Sequence, residues 1–234
     1  MGKNFGNLQK VRNGERRFSI TPHIPGGFIT PKNLQKIAEV TEEYNGVLKI
    51  TSGQRIMITN LKEEDLPEIW GKLGMEPGVK TQNSVKNVEM CPAGFCKRSK
   101  YNTIGMGMKL SKKYQWMEMP CRTKIGVSGC RNACGSVYSK DIGVIADKTG
   151  LIITAGGSCG YNPRSANIID IDLSESEAMK LIESIINYYK ENAELGEKLG
   201  FFIDRIGIDK FRTDVKEKQT VYKNNKFKRK RELI

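Results

Sequence analysis

Four of the six cysteines in this chain fall in two close pairs, Cys91 with Cys96 and Cys130 with Cys134, and such pairs suggest a metal site. The second pair is a C-x3-C motif, Ser128-Gly-Cys-Arg-Asn-Ala-Cys-Gly135, directly after a stretch with β-strand alternation. It is not the C-x2-C knuckle of structural zinc, whereas four thiolates complete the four iron corners of a cubane iron–sulfur cluster. The first pair, Cys91-Pro-Ala-Gly-Phe-Cys96, carries Pro92 and Gly94, which favour a tight turn. A zinc quartet is disfavoured because neither pair has zinc spacing.

Arg122 and Lys124 stand two residues apart on the predicted strand leading into Cys130, so both side chains leave the same face. Alternation alone would suit a solvated strand face equally well. His23 is the only histidine and reads as structural rather than as a ligand or proton donor. Met106, Met108, Met117 and Met119 read as core packing. The chain has no G-x-G-x-x-G turn, no P-loop and no C-x2-C-x2-C run for an additional cluster, so electrons would have to come from a separate protein.

A formal charge of +13 invites a nucleic-acid reading, but its distribution argues against one. Residues 216–234 hold eight Lys or Arg and two Glu, a net +6. With few apolar residues, this tail reads as a mobile, solvated segment or a dock for an acidic partner. The remaining +7 would suit a carboxylate-rich cofactor and an anionic substrate, or simply a basic surface. No apolar run approaches the roughly 20 residues that span a bilayer, and the start Met1-Gly-Lys-Asn lacks a signal-peptide core. A cytoplasmic protein whose cysteines bind metal rather than form disulfides is the expectation.

Several elements must position these residues. Thr30-Pro31 starts a helix over 31–45, with Leu34, Ile37, Ala38, Thr41 and Tyr44 on its buried face. Two short strands, 47–51 and 55–59, flank Ser52-Gly53, and a helix carrying Leu66, Ile69, Trp70 and Leu73 ends near Gly74. Residues 75–87 read as a polar surface crossover, 102–114 as a helix, and 122–128, 141–146 and 150–155 as strands. Ser174-x-x-Glu177 is a capping box opening a long helix, followed by a shorter one around 195–202.

The run from Lys124 to Cys134, then Ser139 to Ile145 and Gly156-Gly157 through Pro163-Arg164, resembles the sirohaem and 4Fe-4S region of nitrite and sulfite reductases. Ile24 to Pro31, Lys49 to Ile56 and Glu64 to Trp70 resemble the ferredoxin-like half-domain of those enzymes. No internal repeat is visible, so the chain looks like a single copy of a unit that the larger enzymes duplicate, similar to the small sulfite reductases.

The resemblance implies an α+β fold: an arm over 1–17, a ferredoxin-like half-domain over 18–76, a sirohaem and 4Fe-4S domain over 77–215, and the tail. It implies a cluster on Cys91, Cys96, Cys130 and Cys134, with Cys134 bridging to the sirohaem iron. The first pair is one residue shorter than the family's C-x5-C, which leaves Cys121 or Cys159 as substitute ligands. Arg55, Arg122 and Lys124 would hold the oxyanion, while Lys86, Arg98 and Arg164 would contact the cofactor. The implied reaction is six-electron reduction of sulfite or nitrite, sulfite preferred. The alternative is an iron–sulfur electron-transfer or assembly subunit, for which Arg55, Arg122 and Lys124 would be dispensable. A single-copy chain could also form a homo-oligomer to rebuild a missing half.

Overall fold

In the computed structural model, which describes residues 4–11 and 13–218, the first half of the chain builds one antiparallel sheet and its two helices. The elements are β1 (Asn7–Leu8), β2 (Phe18–Ile20), α1 (Pro31–Glu43), β3 (Val47–Ile50), β4 (Ile56–Leu61) and α2 (Leu66–Leu73), with strand order β1-β2-β4-β3. Thr30 caps α1 as expected, its hydroxyl accepting from the Asn33 amide at 3.2 Å, and Pro31 takes the first helical position. The buried face of α1 is Ile37, Val40 and Thr41, whereas Leu34 and Ala38 are exposed. Both sets have helical spacing, so periodicity could not choose between neighbouring faces. Phe18, Ile20, Ile58, Leu61, Leu66 and Ile69 complete this core.

The expected arm over 1–17 is part of this half. Asn7 pairs with Ser19, and the Trp70 indole donates to the Asn4 carbonyl at 2.9 Å. A two-residue strand is too short to show alternation.

The second half contains β5 (Val85–Met90), α3 (Ile104–Tyr114), β6 (Thr123–Ser128), β7 (Ile142–Ala146), β8 (Leu151–Ala155), β9 (Asn167–Leu173), α4 (Glu175–Asn192) and α5 (Leu199–Ile206). Its strands lie in the order β5-β6-β7-β8-β9. The first three are parallel, with α3 as the crossover between β5 and β6, and the last two return as antiparallel hairpins. One face carries Val88, Met90, Ile125, Val127, Val144 and Ile153 and packs in one core with Leu181, Ile185 and Phe202. By register the other face carries Asn87, Glu89, Lys124, Gly126 and Gly143. The sheet is therefore oily on its helix side and, over β5 and β6, polar or bare on the other, where Ile145 and Ile152 add a small apolar patch with Val137.

Strands β5 and β9 and a last helical segment, 208–218, were not expected. β5 falls partly inside the supposed surface crossover, yet every residue in it is buried, including Lys86, Asn87 and Glu89. Polar residues buried by neighbouring loops look in sequence like a surface segment. The boundary at 216 also moves, because Lys216 pairs with Asp170 at 3.1 Å and Lys218 with Glu191 as the helix continues. The rest of the expected tail lies outside the described residues. Among the described residues no helix is long and apolar enough to cross a membrane.

Candidate functional site

Because β5 and β6 run parallel as neighbours, the segments that follow them leave the same end of the sheet, and these are the two cysteine loops. Cys91 follows Met90 directly, its amide donating to the Val127 carbonyl at 3.0 Å. Its sulfur accepts from the Gly129 amide at 3.1 Å. Gly129 permits this approach, since a Cβ there would stand 2.2 Å from Ser99 Oγ and 2.8 Å from Ala93 Cβ. Ser99 Oγ ties the loops together by donating to the Gly129 carbonyl at 3.1 Å. Within the second loop Ala133 and Ser136 hold left-handed backbone, φ 49° and 52°, a local cost that sites of function often carry.

The four thiols fit a 4Fe-4S cluster in chemistry and in placement, two on each of two loops tied together at one end of the sheet. Cys96 and Cys134 are exposed, and among the described residues no three Cys, His, Asp or Glu side chains converge on a metal position. Beside Cys130 opens a cleft of about 510 Å³ lined by Lys97, Arg98, Lys100, Arg131, Asn132 and Asp147. Cys121, by contrast, precedes β6 and so lies at its opposite end, about 20 Å away at the usual rise per strand residue. Cys159 follows β8, which runs antiparallel to β7, and therefore also leaves by that far end.

The cations gather at the start of β5 and β6. Lys86 is the extra residue of a register shift between Val85 and Asn87, and its ammonium donates to the Thr81 carbonyl. Burial first, then the charges of Arg122 and Arg55, push its pKa down to about 8. Burial likewise lowers Lys124, with Arg122 and Lys140 adding to the shift. Burial also disfavours the Arg55 guanidinium; Glu89 opposes this and Arg122 reinforces it. The four expected cations Arg55, Lys86, Arg122 and Lys124 thus form one electrostatic group, with Lys86 among the oxyanion candidates rather than beside the cysteines.

Arg55 reaches this group from the first half through a loop that pairs with the free edge of β5. The Gln54 side chain donates to the Met90 carbonyl at 2.6 Å and accepts from the Met90 amide at 2.8 Å, imitating a neighbouring strand. The Asn87 side chain donates through Nδ2 to the Gly53 carbonyl. Arg55 then donates to the Gly78 carbonyl at 3.0 Å, while its buried Nε has no protein partner. His23 tilts against Trp116 with ring centroids 5.1 Å apart, and burial followed by the charge of Arg55 lowers its pKa.

Arg164, expected to contact the cofactor, is engaged by its own loop and by Asp204. It contacts Asp204 through Nε and Nη2, at 2.8 to 3.2 Å, together with Asn167 Oδ1 and the carbonyls of Gly156 and Ser165. All three nitrogens are committed to fastening its own loop at the far end of β8. Sequence reasoning missed Glu89, Lys140 and Asp141. Asp141 accepts from the Lys124 amide at 2.8 Å, and burial pushes its carboxyl up to about 6. The signal was present in charged residues next to or inside strand patterns, which read as solvent-facing.

These parts define a two-part α+β protein with paired cysteine loops at one end of a mixed sheet and a buried-edge cation group toward the other. The model of the nitrite and sulphite reductase 4Fe-4S domain matches residues 81–223, and that of the nitrite/sulfite reductase ferredoxin-like half domain matches residues 9–75. The chain belongs to the nitrite and sulphite reductase family.

The assimilatory-type sulfite reductase of Nitratidesulfovibrio vulgaris is 30% identical over 200 residues, covering 85% of this chain and 92% of that one. The nitrite reductase (NADH) large subunit of Escherichia coli is 29% identical over 88% of this chain, but the match spans only 24% of that subunit. Dissimilatory sulfite reductase I shares the fold with a TM-score of 0.75 at 16% identity, over 86% of this chain and 69% of that one. The Mycobacterium tuberculosis NirA protein gives 0.75 at 18%, over 87% and 40%. The expected α+β architecture, one ferredoxin-like half-domain followed by one 4Fe-4S domain, is borne out.

Proposed function

We propose that this chain is a compact sirohaem- and 4Fe-4S-dependent reductase that takes sulfite to sulfide, with nitrite to ammonia as the related activity. The observation that carries the oxyanion reading is the crowding of Arg55, Lys86, Arg122 and Lys124, each within the field of another and two of them partly desolvated lysines. Like charges held together in a low-dielectric setting repel, and a bound anion relieves that repulsion. Sulfite is favoured because the chain spans nearly all of a sulfite reductase but only about a quarter of the nitrite reductase subunit.

In this reading Cys91, Cys96, Cys130 and Cys134 would hold the cluster, with Cys134 the ligand nearest the sirohaem. When bound, the two cofactors would supply the electrons for the reduction. Arg122 and Lys124 orient the oxyanion, Arg55 holds it from the first half, and Lys86 delivers a proton as oxygen leaves as water. Arg98, on the cleft beside Cys130, is a partner for a cofactor carboxylate. Electrons arrive from a separate donor such as ferredoxin or flavodoxin, and a cytoplasmic setting suits a chain whose six cysteines form no disulfide.

The test is the purified protein's visible spectrum, iron content and turnover. Sirohaem bands and a full cluster are expected, and Arg122→Ala or Lys124→Ala should each lower sulfite turnover at least about tenfold with cofactor content unchanged. A protein without sirohaem, or variants that lose haem in step with activity, would overturn the assignment.

A further inference from the structure

Glu89 and Lys140 form an ion pair at 2.5 Å, and they are only 4% and 7% exposed. They lie on opposite sides of β6, since Glu89 belongs to β5 and Lys140 stands two residues before β7. The Lys140 side chain passes over Gly126, where a Cβ would stand 2.8 Å from its Cγ. Glycine at 126 therefore leaves the path along which Lys140 reaches Glu89.

Glu89 is also an acid whose charge acts on both Arg55 and Lys124. Asp141, the other carboxylate acting on Lys124, is turned to the backbone, where it accepts the Lys124 amide. A buried carboxylate does not remain unpaired, because the desolvation cost is too large. Without Lys140, the cations within reach of Glu89's field are those assigned to the oxyanion. We propose that Lys140 is a positioning residue that keeps Glu89 occupied, so that Arg55 and Lys124 stay available to the anion. This inference rests on the oxyanion assignment above.

Stability alone gives little reason for such a pair, since apolar residues of similar volume commonly replace buried ion pairs without loss. The guarding role makes a different forecast, because the two partners should then act with opposite sign. Removing Lys140 frees a competitor for the cations, whereas removing Glu89 removes the competitor itself.

The experiment is equilibrium titration of the as-isolated holoenzyme with sulfite, together with steady-state kinetics, for Lys140→Met, Glu89→Gln, the double variant and Arg122→Ala. Lys140→Met should weaken sulfite binding and raise KM by about tenfold, with a smaller change in kcat. Glu89→Gln should bind sulfite as tightly as wild type or more tightly, and the double variant should return to within about threefold of wild type. If both single variants weaken binding alike, or the double variant binds no better than Lys140→Met, the guarding role is wrong. Should Lys140→Met fail to accumulate, Glu89→Gln and the double variant still decide, since weakened binding in either overturns the proposal. Unchanged sulfite binding in Arg122→Ala would instead show that the oxyanion assignment has failed.

Discussion

Lys86 shows how a single side chain acquires chemistry from its surroundings. Its position in the bulge of β5 buries an amine within the field of the Arg122 and Arg55 charges, and both effects disfavour the charged form. With a pKa of about 8, the side chain is a cation below that pH and a neutral amine above it. In the proposed site, oxyanion affinity should therefore be full at pH 6 to 7 and decline as pH rises through about 8. Nitrite suits this measurement because its own protonation lies far below that range. In Lys86→Met the decline should vanish and binding should be weaker throughout the acid side by several-fold, a typical worth for one charge-assisted contact. A profile in the variant that still falls near 8 would assign the titration to another group.

At the scale of elements, the polar clamp between the 52–55 loop and β5 joins the two halves of the site. Gln54 makes two hydrogen bonds to Met90 that a strand would otherwise make, and it does so from left-handed backbone at φ 58°. Gln54→Leu should remove both bonds, leave Met90's backbone unsatisfied and lower stability by about 1–3 kcal/mol. It should also weaken oxyanion binding by loosening Arg55, and a thermal melt read beside a sulfite titration checks both effects. Stability loss with intact binding would show that Arg55 is held in place without Gln54, through Gly78 and Thr51.

The same clamp explains what the sequence made legible. The Thr30 cap and the Ser174 capping box are local patterns, and both appear as read, with Glu177 accepting from the Ser174 amide at 3.0 Å. The strand β5 and the ion pair beneath the cations are not local. Their polar residues are buried by partners 34 and 51 positions away, Gly53 for Asn87 and Lys140 for Glu89. The pairing of Arg164 was hidden for the same reason, because Asp204, which engages it, is 40 residues distant.

At the scale of the whole molecule, two cores are joined so that a loop of the first half reaches cations of the second, and the final helical segment closes the second core. Phe211 and Val215 in that segment are fully buried. Removing both would forfeit roughly 1.5–3 kcal/mol each, a large share of ordinary domain stability. Truncation after Asp209 should therefore give an unstable protein with poor cofactor retention. Truncation after Lys218 is a different experiment. It keeps both apolar residues and the pairs of Lys216 with Asp170 and Lys218 with Glu191. It deletes a sequence of six Lys or Arg and one Glu, a net +5. Charge of this density raises the rate of encounter with an acidic partner, and its reach shrinks as salt shortens the screening length to about 8 Å at physiological strength. The shorter protein should match the full chain in melting temperature, cluster and haem content, and turnover with a small artificial reductant. With ferredoxin as donor it should be slower at low ionic strength, and the difference should fade as salt is raised. Equal ferredoxin-driven rates at low salt would remove the tail from donor docking, and loss of cofactor would show that residues beyond 218 support the core.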